Sequence, residues 1–173
     1  MGGPGRPLPT LMRRLLLLWA LLFWQGGFMF YGGVVIPVGS RILGSDQEQA
    51  RITRSVTNYL NLAGAVALAF WGWDVFAEPG GSPRERRLRR LAWALLALSL
   101  GLLAWIHVRM DAQLDSDGSL VGDPRRFGPE HRHYLAVSTA QWAGCILLSA
   151  LTIRAWTVGD SALKGSAMEP EPR

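Results

Sequence analysis

The sequence predicts an all-α fold, a four-helix transmembrane bundle with both termini on the cytoplasmic side. Four long, almost uncharged runs divide the 173-residue chain, and a helix needs about 20 apolar residues to cross a bilayer core of about 30 Å. Nearly all charged residues stand in the short blocks between these runs. The strongest block is 83–90, which reads PRERRLRR and holds five of the eighteen basic residues.

This arginine block sets the predicted orientation. Basic residues resist translocation, so a cluster between two spans marks a cytoplasmic loop. The same arginines are expected to contact anionic lipid headgroups and to fix the topology. They are Arg84, Arg86, Arg87, Arg89 and Arg90. With the second loop inside, four spans place both termini inside as well. Three arginines of the first outer loop, Arg41, Arg51 and Arg54, are the exception to this charge rule.

The predicted boundaries follow the apolar runs. Residues 1–14 form a disordered cytoplasmic N-terminus, 15–157 the transmembrane domain, and 158–173 a disordered cytoplasmic tail. The spans cover approximately 15–38, 55–77, 89–108 and 133–155. A cleaved signal peptide is the alternative for the first run. That run exceeds the about 7–15 apolar residues of a signal peptide, and no clear A-x-A site follows it.

Composition narrows the partners and the chemistry. The net charge is +5, but the arginines flank apolar runs, which favours lipid headgroups over nucleic acid. Cys145 is the single cysteine, so an intrachain disulfide and a thiolate metal cage are excluded. The chain has no P-loop, G-x-S-x-G, H-E-x-x-H or C-x-x-C motif, so no catalytic residue is assigned and an enzyme is not expected. We expect a multi-pass protein of a bacterial inner (cytoplasmic) membrane.

Small and polar residues mark the faces on which membrane helices pack, because lipid supplies no hydrophobic drive for association. In the fourth run such residues recur at three- and four-residue steps, which predicts one stripe. The stripe is Tyr134, Ser138, Gln141, Cys145, Ser149 and Thr152. The polar residues expected inside the bundle are Gln25, Asn58, Asn61, Ser138 and Gln141. We interpret them as interhelical hydrogen-bonding groups, worth about 0.6 kcal/mol each; lining a solute path is the alternative.

Two further packing faces and two acids complete this interpretation. The second run predicts a stripe of Asn58, Asn61, Ala65, Ala69 and Gly72. In the fourth run, Ala136, Ala140 and Gly144 form a small-xxx-small series opposite the polar stripe. Asp74 and Glu78 stand at the inner end of the second run, where they can reach water or the nearby arginines; we expect them to be solvated charges.

All three histidines map to the outer rim. His107 ends the third run with Asp111 four residues later, and His131 and His133 open the fourth run. A helical hairpin would bring these ends together, and histidine is both the commonest metal ligand and a proton-responsive group. His107, Asp111, His131 and His133 are therefore the metal candidates, with His107 and His131 within reach of one ligand. Interfacial hydrogen bonding and charge pairing are the alternative, and no cofactor is predicted unless the site holds a metal or haem.

Two segments carry a family resemblance. Residues 24–37 read WQGGFMFYGGVVIP, and 127–131 read FGPEH, followed by Tyr134 and Ser138. In these segments and in the order of its spans, the chain resembles an uncharacterised family of four-span membrane proteins, a domain of unknown function with eukaryotic relatives. That family has a glycine-containing first span with a small-residue/Pro turn and a Phe-x-x-x-His entry into the last span. The resemblance covers most of 15–157 in outline and implies an architecture without an established reaction.

Three functional classes follow from these features. The favoured class is a non-enzymatic accessory, assembly or stabilising subunit of a membrane complex, because the loops are small, catalytic motifs are missing and the helices are rich in packing residues. Its partner is a membrane protein or a second copy of the chain. The first alternative is a small-solute carrier or channel, which would need an oligomer because four short spans enclose little space. The second is a metal- or haem-binding membrane protein that uses the rim histidines.

Overall fold

The structure is a computed structural model that describes residues 7–78, 80–114 and 124–166, without the side chains of 46, 47, 124–127 and 166. The first span consists of α1 (Leu8–Phe30), a π-helical segment (Tyr31–Val35) and α2 (Ile36–Leu43). The other spans are α3 (Asp46–Ala77), α4 (Pro83–Asp111) and α5 (Pro124–Ser166).

Four helical segments are long and apolar enough to cross a membrane: Leu8–Leu43, Glu48–Ala77, Pro83–Asp111 and Gly128–Gly165. The predicted all-α, four-helix transmembrane architecture is therefore confirmed. The chain is an integral, multi-pass membrane protein by this criterion, and its orientation stays a prediction.

Local sequence signals set the helix starts. Ser82 caps α4 by accepting a hydrogen bond from the Glu85 backbone N–H at 3.3 Å, and the Glu85 carboxylate accepts one from the Ser82 N–H at 2.7 Å. This reciprocal pair is a capping box, and Pro83 occupies the first helical position, where its missing N–H costs nothing. Gly44 ends α2 with a φ of 62°, a left-handed conformation that glycine adopts without strain.

The helices are longer than the predicted spans. α1 begins at Leu8 and α5 ends at Ser166, so 8–14 and 158–166 are helical where disorder was predicted. The added turns carry Arg13, Arg14 and Asp160, whose side chains pair between helices, and these pairs favour helix beyond the apolar run. The rest of both predicted tails, 1–6 and 167–173, lies outside the described residues.

Neighbouring helices pack in chain order. α1 contacts α3, α3 contacts α4, and α4 contacts α5. The core between them includes Leu17, Trp24, Trp71, Leu96 and Leu148. Because the spans alternate in direction, each end of the bundle collects residues from all of them. We call the end that carries Asp74 and Arg89 the arginine end, and the end that carries His107 and His133 the histidine end.

Large side chains of one helix fill the glycine positions of the next. A Cβ added at Gly64 would lie 2.8 Å from the Trp24 ring, and one at Gly144 would lie 2.9 Å from Leu96. Gly72 receives Trp93 in the same way, with 2.9 Å to the ring. Glycine therefore acts inside this bundle as the hole into which a neighbour's side chain packs.

Part of the stripe predicted on the second run faces outward, although Gly72 is buried and Asn61 is partly buried. Asn58, Ala65 and Ala69 are exposed, whereas the buried side of α3 follows Leu68, Trp71 and Val75. Leu68, Trp71 and Val75 face inward together with Ala67 and Gly72, whereas Ala65 and Ala69 face out. On α5, Ala136 and Ala140 of the small-residue series are also exposed, although Gly144 receives Leu96.

Candidate functional site

Two acidic residues, Asp74 and Glu78, lie one turn apart at the arginine end of α3. Residues four apart share a helix face, so both carboxylates face the N-terminal turns of α1 and α4, which run antiparallel to α3. Those turns carry Arg13 and Arg89. The helices alternate in direction along the chain. The C-terminal end of α3 therefore lies beside the N-terminal ends of α1 and α4.

Asp74 contacts three other helices at once. Its Oδ1 accepts a hydrogen bond from Arg13 Nε at 3.0 Å, and its Oδ2 accepts one from Arg89 Nη2 at 3.0 Å. The indole Nε1 of Trp156 on α5 donates to the same carboxylate, 3.0 Å from Oδ2. One side chain of α3 is thereby bonded to α1, α4 and α5.

Glu78 extends the same cluster. Its Oε2 accepts from Arg13 Nη2 at 2.7 Å, and its backbone carbonyl accepts from Arg89 Nη1 at 3.1 Å. We call Arg13, Asp74, Glu78, Arg89 and Trp156 the clasp. Each arginine of the clasp therefore bridges Asp74 and Glu78.

A second pair joins the first and last helices beside the clasp. Arg14 of α1 donates to both carboxylate oxygens of Asp160 on α5, at 3.1 and 3.2 Å. Its guanidinium also lies over the Trp156 ring, 4.8 Å from the centroid, a favourable cation–π geometry. Arg14 thus links α1 directly to α5. Within the clasp these two helices are connected only through Asp74, to which both bond.

The clasp is buried, contrary to the expectation that Asp74 and Glu78 are solvated. Asp74 is 0% exposed, Glu78 8% and Arg89 1%. Burying a charge is costly unless it is paired and hydrogen-bonded; these acids meet that condition because three helices supply their donors. Arg89 was expected to contact lipid headgroups with the rest of the arginine block, but it is buried. Of the other four arginines, Arg84, Arg87 and Arg90 are exposed and Arg86 is partly buried.

The clasp can bind helices together, and its surroundings leave little room for anything else. A cavity of about 10 Å³ lies beside Arg89, between Gly80, Leu151 and Ala155, which is the space of one water molecule. Arg89 Nε is buried and has no hydrogen-bond partner among the described residues. A solute larger than water does not fit at this position.

Polar contacts continue through the bundle centre. Trp71 Nε1 donates to Thr152 Oγ1 at 2.9 Å, and Gln141 Nε2 donates to the Leu96 carbonyl at 3.4 Å. Trp93 Nε1 donates to the Leu68 carbonyl at 2.9 Å. Each of these three contacts joins two helices, whereas the Ser138 hydroxyl donates to the Leu135 carbonyl of its own helix.

The five polar residues assigned to the interior have different positions. Ser138 and Gln141 are buried, at 5% and 6% exposure. Asn61 and Gln25 are partly buried, and Gln25 Oε1 has no hydrogen-bond partner among the described residues. Asn58 is exposed, because the buried face of α3 passes one residue away from it.

The histidine end brings only part of the predicted metal set together. His107 is 7% exposed, packs against Tyr134 and lies 3.6 Å from Asp111, measured from Nε2 to Oδ2. The other Asp111 oxygen is 3.1 Å from Arg54 Nε. His131 and His133 are exposed. Among the described residues, no group of three or more His, Cys, Asp or Glu side chains is placed to hold a metal ion; a metal or haem site stays a prediction.

The outer face of α1 is a third candidate region. Trp19, Phe23, Gly26 and Phe30 follow one another at steps of four, three and four residues, so they form one stripe, which we call the α1 seam. The three aromatic residues are 71%, 74% and 61% exposed, and a Cβ added at Gly26 would meet nothing within 4 Å. The seam combines projecting rings with an unfilled glycine.

No protein-family description, curated protein or solved structure shows a significant match to this chain. The resemblance to four-span proteins of unknown function therefore stays a prediction.

Sequence reasoning missed the clasp, although the sequence contains a signal for it. Arg13, Asp74 and Arg89 each flank a different apolar run on the same predicted side of the membrane. Oppositely charged side chains can form ion pairs when they lie at the same depth in the membrane on adjacent antiparallel helices. The stripe of α5 also pointed towards the core, because Cys145 and Thr152 are both 2% exposed.

Proposed function

We propose that this protein is a non-enzymatic accessory or stabilising subunit of a membrane complex, and that it binds a transmembrane helix of a partner subunit along the α1 seam. The observation that carries the proposal is an unfilled glycine, Gly26, between the exposed rings of Phe23 and Phe30. Gly64, Gly72 and Gly144 each receive a large side chain from a neighbouring helix, whereas Gly26 on the seam receives none.

Small residues at helix contacts let two helices approach closely, and this approach drives association in lipid. Within the bundle, a glycine accommodates a large side chain of the neighbouring helix at three contacts. On the seam, Phe23 and Phe30 flank Gly26 by three and four residues, so a partner helix would meet a hole between two projecting rings. Lipid chains fill such a surface less completely than a side chain does.

The buried polar groups support a structural role over a solute path. Charged groups inside membrane proteins often mark substrate or ion pathways. Here the three arginines Arg13, Arg14 and Arg89 are bonded to Asp74, Glu78 and Asp160. Trp71 and Gln141 are likewise bonded to neighbouring helices. These contacts favour a rigid bundle that is suited to supporting another subunit.

The orientation and the membrane belong to the same proposal. We place both termini and the arginine end in the cytoplasm of a bacterium, with the protein in the inner membrane. The exposed arginines Arg84, Arg87 and Arg90 would then face anionic headgroups, each worth about 1 kcal/mol near such a surface.

Affinity purification from native membranes in a mild detergent tests the proposal. A membrane protein is expected in stoichiometric amount with the wild type, and Gly26→Leu should remove it because a leucine fills the hole. Gly101→Leu is the matched control, since a Cβ at Gly101 of α4 also meets nothing within 4 Å. Equal recovery of the partner with both variants would contradict the docking face. Solute flux from liposomes that hold the purified protein alone would favour a carrier.

A further inference from the structure

A groove lies between α4 and α5 at the histidine end, away from both the clasp and the α1 seam. Leu102, Ile106 and Arg109 line its α4 side, and Glu130, His133 and Val137 line its α5 side. Its volume is about 680 Å³, within the range of about 300–1,000 Å³ that is typical of ligand clefts. Leu102 is 42% exposed, so the groove opens on the lipid-facing side of the bundle.

The groove is apolar along its length and polar at one end. Leu102, Ile106 and Val137 form the apolar walls, and Arg109, one or two helical turns later, marks the polar end. Trp105 also lines the groove and is 55% exposed, as expected for an indole at the membrane–water interface. The shape and polarity therefore match an amphiphile with its head at the interface and a chain directed into the bilayer.

The polar end combines the guanidinium donors of Arg109 with one carboxylate, Glu130, that is already hydrogen-bonded. Glu130 accepts from Arg109 Nη2 at 2.8 Å and from Gln113 Nε2 at 2.6 Å, one bond to each carboxylate oxygen. The Arg109 guanidinium lies 4.8 Å from the Trp105 ring centroid, which fixes its plane, and half of its side chain is exposed. The remaining N–H groups of Arg109 are directed to no acceptor among the described residues. His133 is exposed beside them.

We propose that this groove binds one phospholipid, with the phosphodiester at Arg109 and His133 and an acyl chain along Leu102, Ile106 and Val137. A guanidinium is well suited to phosphate because its parallel N–H groups bond two oxygens at once. Glu130 neutralises only one face of Arg109 and holds it in position. An uncharged amphiphile would fill the same walls but would leave the donors of Arg109 without a charged acceptor.

Native mass spectrometry of the purified wild-type chain tests the proposal. The protein is reconstituted with dioleoyl phosphatidylglycerol or with dioleoylglycerol, which has the same chains and no phosphate, and is then transferred to a neutral detergent. One phosphatidylglycerol should be retained, about tenfold more strongly than dioleoylglycerol, because only the phosphodiester offers charged acceptors to the guanidinium of Arg109. Equal retention of the two lipids, or loss of both, would overturn the proposal.

Two variants connect the retained lipid to the groove. Val137→Trp fills the apolar wall while Arg109 is unchanged, and it should abolish retention. Ile146→Trp is its control, because Ile146 is 52% exposed on α5 and does not line the groove. Arg109→Gln should reduce the preference for phosphatidylglycerol while dioleoylglycerol binding is unchanged. Retention by Val137→Trp equal to that of Ile146→Trp would show that the lipid is bound elsewhere.

Discussion

Asp74 of α3 and Arg89 of α4 form an ion pair inside the bundle, with Arg89 Nη2 3.0 Å from Asp74 Oδ2 and side-chain exposures of 0% and 1%. The pair does not stand alone, because Arg13 and Trp156 donate to the same carboxylate. A buried pair that is part of such a cluster is sensitive to the loss of one member, since the remaining charges then have no counter-ion.

Asp74→Asn should therefore destabilise the bundle strongly. Arg13 and Arg89 would lose their shared charge partner, and removal of one member of a buried pair costs about 3–5 kcal/mol. The measurement is unfolding of the purified protein in mixed micelles as the fraction of denaturing detergent rises. Asp160→Asn is the control, because Asp160 is 41% exposed and exposed pairs contribute about 0–1 kcal/mol. Equal midpoints for the two variants would contradict the clasp.

The overall architecture could be predicted because four apolar runs of membrane length specify four spans without any knowledge of their packing. The sequence places charges of opposite sign at one depth, but they do not by themselves specify the clasp, because the sequence does not show whether water or another helix faces Asp74. Only the rotation of α3, set by Trp71 and Val75, decides between these outcomes. The same rotation explains why Asn58 was wrongly expected in the interior.

The glycine holes give a second prediction. Gly64→Ala should lower stability by about 1–3 kcal/mol, the usual cost of overpacking, because the added Cβ would lie 2.8 Å from the Trp24 ring. Gly101→Ala, at a position with nothing within 4 Å, should leave stability unchanged or slightly higher. The same unfolding assay compares the two variants. A lower midpoint for Gly101→Ala than for Gly64→Ala would argue against the packing described.

The contact between Trp71 and Thr152 can be measured by a double-mutant cycle. Trp71→Phe removes the indole donor, Thr152→Val removes the hydroxyl acceptor at nearly constant volume, and the double variant removes both. Hydrogen bonds between membrane helices contribute about 0.6 kcal/mol on average, so a coupling energy near that value is expected. Strictly additive effects of the two substitutions would mean that the 2.9 Å contact stabilises nothing.

The orientation predicts the behaviour of fused reporters. A reporter after Arg173 should be active on the cytoplasmic side, and one inserted at Gly118 should be external, because the arginine block holds the second loop inside. Both positions lie outside the described residues. Reversal of both reporters would place the arginine end outside and would remove the proposed contact with cytoplasmic anionic lipids.

Cross-linking on the α1 seam tests the central claim most directly, since the seam is proposed as the docking face for a partner helix. Cys145, the single native cysteine, is replaced by alanine, and Gly26→Cys is then introduced for cross-linking to neighbouring proteins in native membranes. We predict a specific product whose mass identifies the partner subunit, and no such product from Gly101→Cys, which is an equally open glycine on α4. The absence of any product from Gly26→Cys, or the same products from both cysteines, would contradict the account.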